Sequence, residues 1–345
     1  MSNLPDQLIS SLKNVQGFDE QSFKEIHDSG KQITSIRFNQ QKISKEDLEQ
    51  GNLKNDFDEL PLTENILWCD NGYYLKERPL FYLDPLWHAG TYYVQEPSSM
   101  CIGFVMKQLC DLSKPLHVLD LCAAPGGKST EIAGLLSKES ILISNEVINS
   151  RVHILEENIT KWGLPNVIVT HNDARDFGGL TEFFDVILVD APCSGSGLFR
   201  KDPELINEWS PEQVLLCGQR QKRILTDILP ALKKNGLLIY TTCSFSQEEN
   251  EDLVDFSMQQ FSLDNIPVPF KPDWNIVETI SPISRAKGYR FYPSKLRGEG
   301  FFLSCFKKWD EGGVDDKVNI KKYRKKNAPA EINSAQKSVI EPWIN

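Results

Sequence analysis

The chain has 345 residues, 40% hydrophobic and 25% charged, with a formal net charge of −10; that length admits about two domains around a sizeable core. No apolar run approaches the ~20 residues that span a bilayer, and the polar start from Met1 to Ser22 lacks a signal core, so a membrane or exported protein is not expected. The eight cysteines stand singly, with no C-x-x-C pair, which sets aside a zinc ribbon and a dense disulfide framework and points to a reducing cytoplasm.

Residues 1 to about 60 read as polar and helical, except Ile33 to Asn39, which alternates like a short strand. Residues 61 to 100 are turn-rich and aromatic, with Trp68, Tyr73, Tyr74, Phe81, Tyr82, Trp87, Tyr92 and Tyr93. Core packing is the favoured account of these rings, a nucleic-acid stacking surface the other. From about residue 100, strands alternate with helices. The strands are His117–Leu121, Ile141–Asn145, Val167–Thr170, Asp185–Val189 and Gly236–Thr241. The helices start near Lys128, Arg151 and Pro211, and Asn235-Gly236 is expected to stop the last at Lys234. Such alternation predicts an α/β fold with a parallel, doubly wound sheet. Tyr289 to Lys308 reads as an antiparallel hairpin around Gly298-Glu299-Gly300, and residues from Asp310 as a tail with a basic run, Lys321 to Lys326.

The turn after the first of these strands, Cys122-Ala123-Ala124-Pro125-Gly126-Gly127-Lys128-Ser129, is built of small residues that let backbone approach a nucleotide-like ligand. Gly127-Lys128-Ser129 suggests a phosphate loop, but that motif needs a glycine where Cys122 stands. S-adenosylmethionine fits better, because ligands of open α/β sheets bind beyond the carboxyl ends of the strands. Glu146, at the end of the second strand, is placed for the ribose hydroxyls, and Asp173, after the third, for the adenine amino group.

Buried free cysteine is ordinarily a small hydrophobe, an adequate account of Cys101, Cys110, Cys217 and Cys305. It is a poorer one for Cys193 and Cys243, which follow the fourth and fifth strands at their carboxyl ends. Neighbouring strands lie ~4.8 Å apart, so the two turns are expected to share a cleft. A thiolate adding to cytosine C6 turns the ring into an enamine able to take up a methyl group at C5. Asp190, with a pKa raised by burial, is expected to donate to ring N3. The residues alone leave open which thiol attacks. Arg200, Lys201, Arg285, Lys287, Arg290, Lys295 and Arg297 are expected to form a basic lip for RNA, which the acidic net charge does not advertise.

At Gln95 to Met100, Cys122 to Ser129, Asp190 to Gly197, Thr241 to Ser244, Glu248 to Glu251 and Gly298 to Phe302, the chain resembles the Sun/Fmu family of RNA cytosine-C5 methyltransferases, in the branch of RsmF-type ribosomal RNA enzymes. The resemblance runs from about residue 90 to 308. It implies a Rossmann-like methyltransferase at 91–309, with a mostly parallel sheet closed by an antiparallel hairpin. A smaller α+β RNA-binding domain with its connecting segment would occupy 1–90, and a basic tail or linker 310–345. It makes Cys243 the nucleophile and Cys193 the residue of product release. Cofactor contacts fall on Cys122, Ala123, Ala124, Pro125, Gly126, Gly127, Lys128, Glu146, Asp173 and Asp190. S-adenosyl-L-methionine is the implied cofactor, with no metal, and ribosomal RNA the partner of a cytoplasmic monomer. Transfer RNA methylation and a non-catalytic assembly factor are the alternatives. Members of that branch continue into a PUA-like domain; this sequence ends at Asn345.

Overall fold

The computed structural model describes residues 4–43 and 60–309; the expected tail at 310–345, with its basic run, lies outside them. Two short helices, Asp6–Leu12 and Glu20–Asp28, come first. Asp19 caps the second by accepting from the Ser22 N–H at 2.8 Å, satisfying a donor the helix cannot. Strands β1 (Thr34–Phe38), β2 (Leu62–Ile66), β3 (Cys69–Leu75) and β4 (Tyr92–Val94) then form an antiparallel sheet in the order β2-β3-β1-β4. Trp68, Tyr74, Phe81 and Tyr92 are buried, as core packing requires, while Tyr82 is 63% exposed.

The second sheet has nine strands. β5 (His117–Asp120), β6 (Ile141–Asn145), β7 (Val167–Thr170), β8 (Phe184–Asp190) and β9 (Leu232–Thr242) are parallel, in the order β9-β8-β5-β6-β7. β12 (Lys287–Phe291) and β13 (Phe301–Lys308) form the expected hairpin, and β13 runs antiparallel to β9. The antiparallel part is larger than a hairpin: β11 (Val277–Ile280) pairs with β12, and β10 (Leu263–Asn265) with β13. This is the Rossmann-like architecture predicted from the strand–helix alternation. The chain leaves β5 towards β6 on one side and returns at β8 on the other, so the crevice beyond β5 and β8 is the switch point where such sheets bind ligands.

Both faces of the central parallel strands β5 and β8 are covered, which is why they read as largely apolar runs. Val118, Val186, Leu188 and Ile239 enter one core, and Leu119, Ile187, Val189 and Tyr240 the other. The first core also takes Ile66, Trp68, Cys69 and Tyr74 from the small sheet. Leu8, Leu12 and Phe23 of the opening helices pack with Phe199, Trp209, Phe245 and Tyr292. The hydrophobic core therefore runs continuously across residue 90.

The helix expected to reach Lys234 ends at Ile228, and a single 3-10 turn, Leu229–Ala231, leads into β9. Pro230 has no N–H to continue the helical ladder. Asn235-Gly236 instead forms a bulge inside β9. Phe184 pairs with Leu232 but Val186 with Leu237, and Asn235 takes the left-handed φ of +60°.

Candidate functional site

The turn after β5 is held by backbone hydrogen bonds within itself and to the end of β6. Ala123 N–H donates to Asn145 O and Gly126 N–H to Ala123 O, each at 2.8 Å. Gly126 adopts φ +111°, a conformation that favours glycine, and Gly127 begins the helix Gly127–Ala133. A Cβ on Gly126 would lie 3.3 Å from Leu155. Asp120, immediately before the turn, is wholly buried and accepts from the Ser129 hydroxyl at 2.6 Å, while its other oxygen has no partner. Burial pushes the Asp120 carboxyl up to about 7.

Glu146 is also buried. Its Oε1 accepts from Ile148 N–H at 2.9 Å; its Oε2 has no hydrogen bond and faces Arg151 at 3.5 Å. Asp173 caps the 3-10 helix Ala174–Gly179 and accepts from Arg223 at 3.1 Å. Its burial pushes the carboxyl pKa up, but Arg223 and the Arg175 N–H more than offset that, and it sits below the usual value.

Asp190 ends β8. The expectation of a buried acid is corrected here, since the side chain is part-exposed and ion-paired: its Oδ2 accepts from the Lys128 ammonium at 2.6 Å and its Oδ1 from Thr241 Oγ1 at 2.7 Å. Its side chain is 30% exposed and that of Lys128 only 15%, so the carboxylate faces the cleft with the ammonium behind it. Burial alone would lower the Lys128 pKa, yet Asp190 and Asp120 raise it overall.

The two thiols meet. Cys193, after β8, and Cys243, after β9, place their sulfurs 3.0 Å apart as free thiols. The hydrogen bond with Cys243 and burial push the Cys193 pKa well up, helped by the negative charge of Glu249. Backbone crosses backbone beneath them: Gly197 N–H donates to Cys243 O at 2.8 Å and Gly300 N–H to Gly197 O at 3.0 Å. A Cβ on Gly197 would lie 2.6 Å from Gly300 O and 2.7 Å from Cys243 O, so no side chain fits. Cys101, Cys217 and Cys305 are buried and Cys110 is half-buried, all unpaired, in keeping with packing roles.

The basic lip is smaller than expected. Arg200 is buried, 3.3 Å from Glu299, and donates to Gly298 O and Lys31 O. Arg290 is buried in a bidentate pair with Glu251. Lys287 pairs with Glu278 and the exposed Arg297 with Glu64; Lys201, Arg285 and Lys295 are exposed as well. In both buried arginines a carboxylate partner offsets the cost of taking the guanidinium out of water.

Sequence reasoning passed over Thr241, Gln221 and Glu249, which tie the cleft together. Glu249 stood in a noted motif, but nothing in a linear sequence reveals that its carboxylate turns back to the thiols. Among the described residues no group of three or more His, Cys, Asp or Glu side chains is arranged to hold a metal ion, and no helix is long and apolar enough to cross a membrane.

A family profile for the 16S rRNA methyltransferases RsmB/F matches residues 108–307, and one for the N-terminal domain of 16S rRNA methyltransferase RsmF matches residues 4–97. The chain is 36% identical over 282 residues to ribosomal RNA small subunit methyltransferase F of Aliivibrio fischeri strain MJ11. It is 35% identical over 280 residues to the protein of that name from Escherichia coli O139:H28. Each alignment covers 79% of this chain and 57% of the relative, so the chain spans little more than half the length of the curated relatives it matches. Among solved structures, a methyltransferase homolog protein from Pyrococcus horikoshii superimposes with a TM-score of 0.69 at 26% identity, over 88% of this chain and all of that one. NSun6 from the same organism, solved with SFG, shares the fold with a TM-score of 0.72 at 22% identity, over 89% of this chain and 99% of that one.

Proposed function

Because the chain belongs to the RsmB/F family of 16S rRNA methyltransferases, we propose that it methylates C5 of a cytosine in ribosomal RNA through a covalent adduct on Cys243. The observation that carries this reading is the meeting of Cys193 and Cys243, 3.0 Å apart, beside the Lys128–Asp190 pair and the small-residue turn.

The pocket suits S-adenosylmethionine. It offers the backbone of Cys122 to Lys128, a left-handed Gly126 and the unpartnered oxygens of Glu146 and Asp120. When bound, that cofactor supplies an electrophilic methyl group on a sulfonium. Glu146 would hold the ribose hydroxyls, and Asp173, oriented by Arg223, the adenine amino group. Cys243 attacks C6 while its thiol proton passes through the Asp190 carboxylate, held by the Lys128 ammonium, to N3, so the enamine forms without a full negative charge on the ring. Release then requires Cys193, as a thiolate, to take the C5 proton as the C6–S bond breaks, with the N3 proton returning through Asp190 to the departing Cys243 sulfur. RNA contact is assigned to the N-terminal segment together with Lys201, Arg285 and Lys295, and the catalytic unit to 91–309.

The test supplies tritiated methyl donor and 16S rRNA to the purified chain and maps the product by bisulfite sequencing. Tritium should enter one or a few cytosines. Cys243→Ala should abolish transfer while still binding S-adenosylhomocysteine. Cys193→Ala should accumulate a protein–RNA species that survives denaturing electrophoresis and is absent from the double variant. Unaltered turnover in both single variants would remove the covalent mechanism.

A further inference from the structure

Cys193 and Cys243 lie 50 residues apart in the chain, and one side chain outside the reacting set bridges their turns. Glu249, in the 3-10 turn Gln247–Glu249, is wholly buried. Its Oε1 accepts from the Ser194 N–H at 2.8 Å and from Gln221 Nε2 at 3.2 Å. Its Oε2 accepts from the hydroxyls of Ser194 and Ser244, each at 2.5 Å. Ser194 follows Cys193 and Ser244 follows Cys243, so a single carboxylate grips the residue next to each sulfur. All four donors are uncharged, and a carboxylate buried without a cation is a poor way to gain stability. Burial pushes its pKa up, against the pull of those donors.

The two turns depend on it unequally. The Cys243 turn is also held by Asn250 Nδ2 donating to Ser244 O at 2.8 Å and by Arg290 donating to Phe245 O at 2.7 Å, while Phe245 N–H, donating to Ser196 Oγ at 2.9 Å, ties it to the far end of the Cys193 turn. Ser194 directs both its N–H and its hydroxyl at Glu249, and the neighbouring Pro192 O is held at 3.0 Å by Gln221, itself a Glu249 partner. We propose that Glu249 is the positioning residue of the thiol pair, holding the Cys193 turn within reach of an adduct on Cys243. The inference rests on the covalent reading above and adds to it: attack needs only Cys243, so losing Glu249 should resemble losing Cys193. Glutamine can keep all four contacts, its carbonyl accepting from Ser194 N–H and Gln221 and its amide donating to the two hydroxyls. Alanine can keep none.

Diamide reads the thiol geometry without RNA or methyl donor. The two sulfurs join, and their two electrons and two protons pass to its N=N bond. Wild type and Glu249→Gln should form the Cys193–Cys243 disulfide, identified as a linked peptide by mass spectrometry, at the same rate. Glu249→Ala should form it at least about tenfold more slowly, a displacement effect, while binding S-adenosylhomocysteine normally. Given RNA and methyl donor, Glu249→Ala should accumulate the denaturation-resistant adduct although Cys193 is present, and Glu249→Gln should turn over. Wild-type crosslinking in Glu249→Ala overturns the proposal. If that variant fails to fold, Ser194→Ala removes one tether, and crosslinking at the wild-type rate there overturns it equally. Should the diamide rates behave as expected while wild type forms no adduct and methylates no RNA, the covalent reading falls and the positioning role stands.

Discussion

Asp120 is the side chain whose surroundings make the sharpest demand. Burial lifts its pKa from 3.8 to about 7, so the folded chain retains a proton that the unfolded chain has already released. Stability must therefore fall as pH rises from about 4 to about 7 and then level off. The fall amounts to about 4 kcal/mol at most. Asp120→Asn keeps an oxygen for the Ser129 hydroxyl and removes the titration, so its urea midpoint without ligand should stay flatter across that window. Parallel curves for the two proteins would show that Asp120 is not the group responsible. At this scale the sequence was legible where a residue's position follows from a strand end: Cys193 and Cys243 meet, Asp190 ends β8 and Glu146 follows β6. It was not legible where the role depends on a partner remote in sequence. Arg200 and Arg290 read as surface charges until Glu299 and Glu251 come into view.

Among the elements, β9 holds the clearest local constraint. Its bulge places Asn235 at φ +60°, a region asparagine tolerates and β-branched residues do not. Asn235→Val should cost about 1–2 kcal/mol, and Asn235→Gly should be nearly neutral; a denaturant titration of the pair separates backbone strain from lost side-chain contacts. The same bulge explains the misplaced helix end, because Asn-Gly signals a reversal without saying which element reverses. Strands β5, β8 and the second half of β9 were readable since burial on both faces makes them largely apolar. The β2–β3 hairpin was hidden because its turn-like Asp70-Asn71-Gly72 lies inside β3, whereas the reversal falls at Leu67-Trp68. Gly72 sits in that strand because a Cβ would meet Met100 and Cys69 at 3.0–3.1 Å.

Across the molecule, the two sheets are joined by Arg37 of β1. Its guanidinium is buried, donating to Gln95 Oε1 at 2.9 Å, Thr130 Oγ1 at 2.7 Å and Gly127 O at 3.1 Å, and it lies 4.6 Å from the Trp162 ring. Arg37→Ala removes several charge-assisted bonds at once, each worth about 1.5–3 kcal/mol. Amide hydrogen exchange should accelerate in the helix Gly127–Ala133 as well as in β1; acceleration confined to β1 would mean that the sheets open independently. The ligand turn thus has part of its support in a segment that precedes it by 90 residues. A chimera cut at residue 90 would separate the guanidinium from Gln95, Thr130 and Gly127, which lie on the far side of the cut. Grafting a foreign N-terminal segment to redirect target choice would therefore strand buried acceptors under the ligand turn unless the donor brings an arginine at the same register. What looks like an interchangeable head is a structural support of the turn after β5.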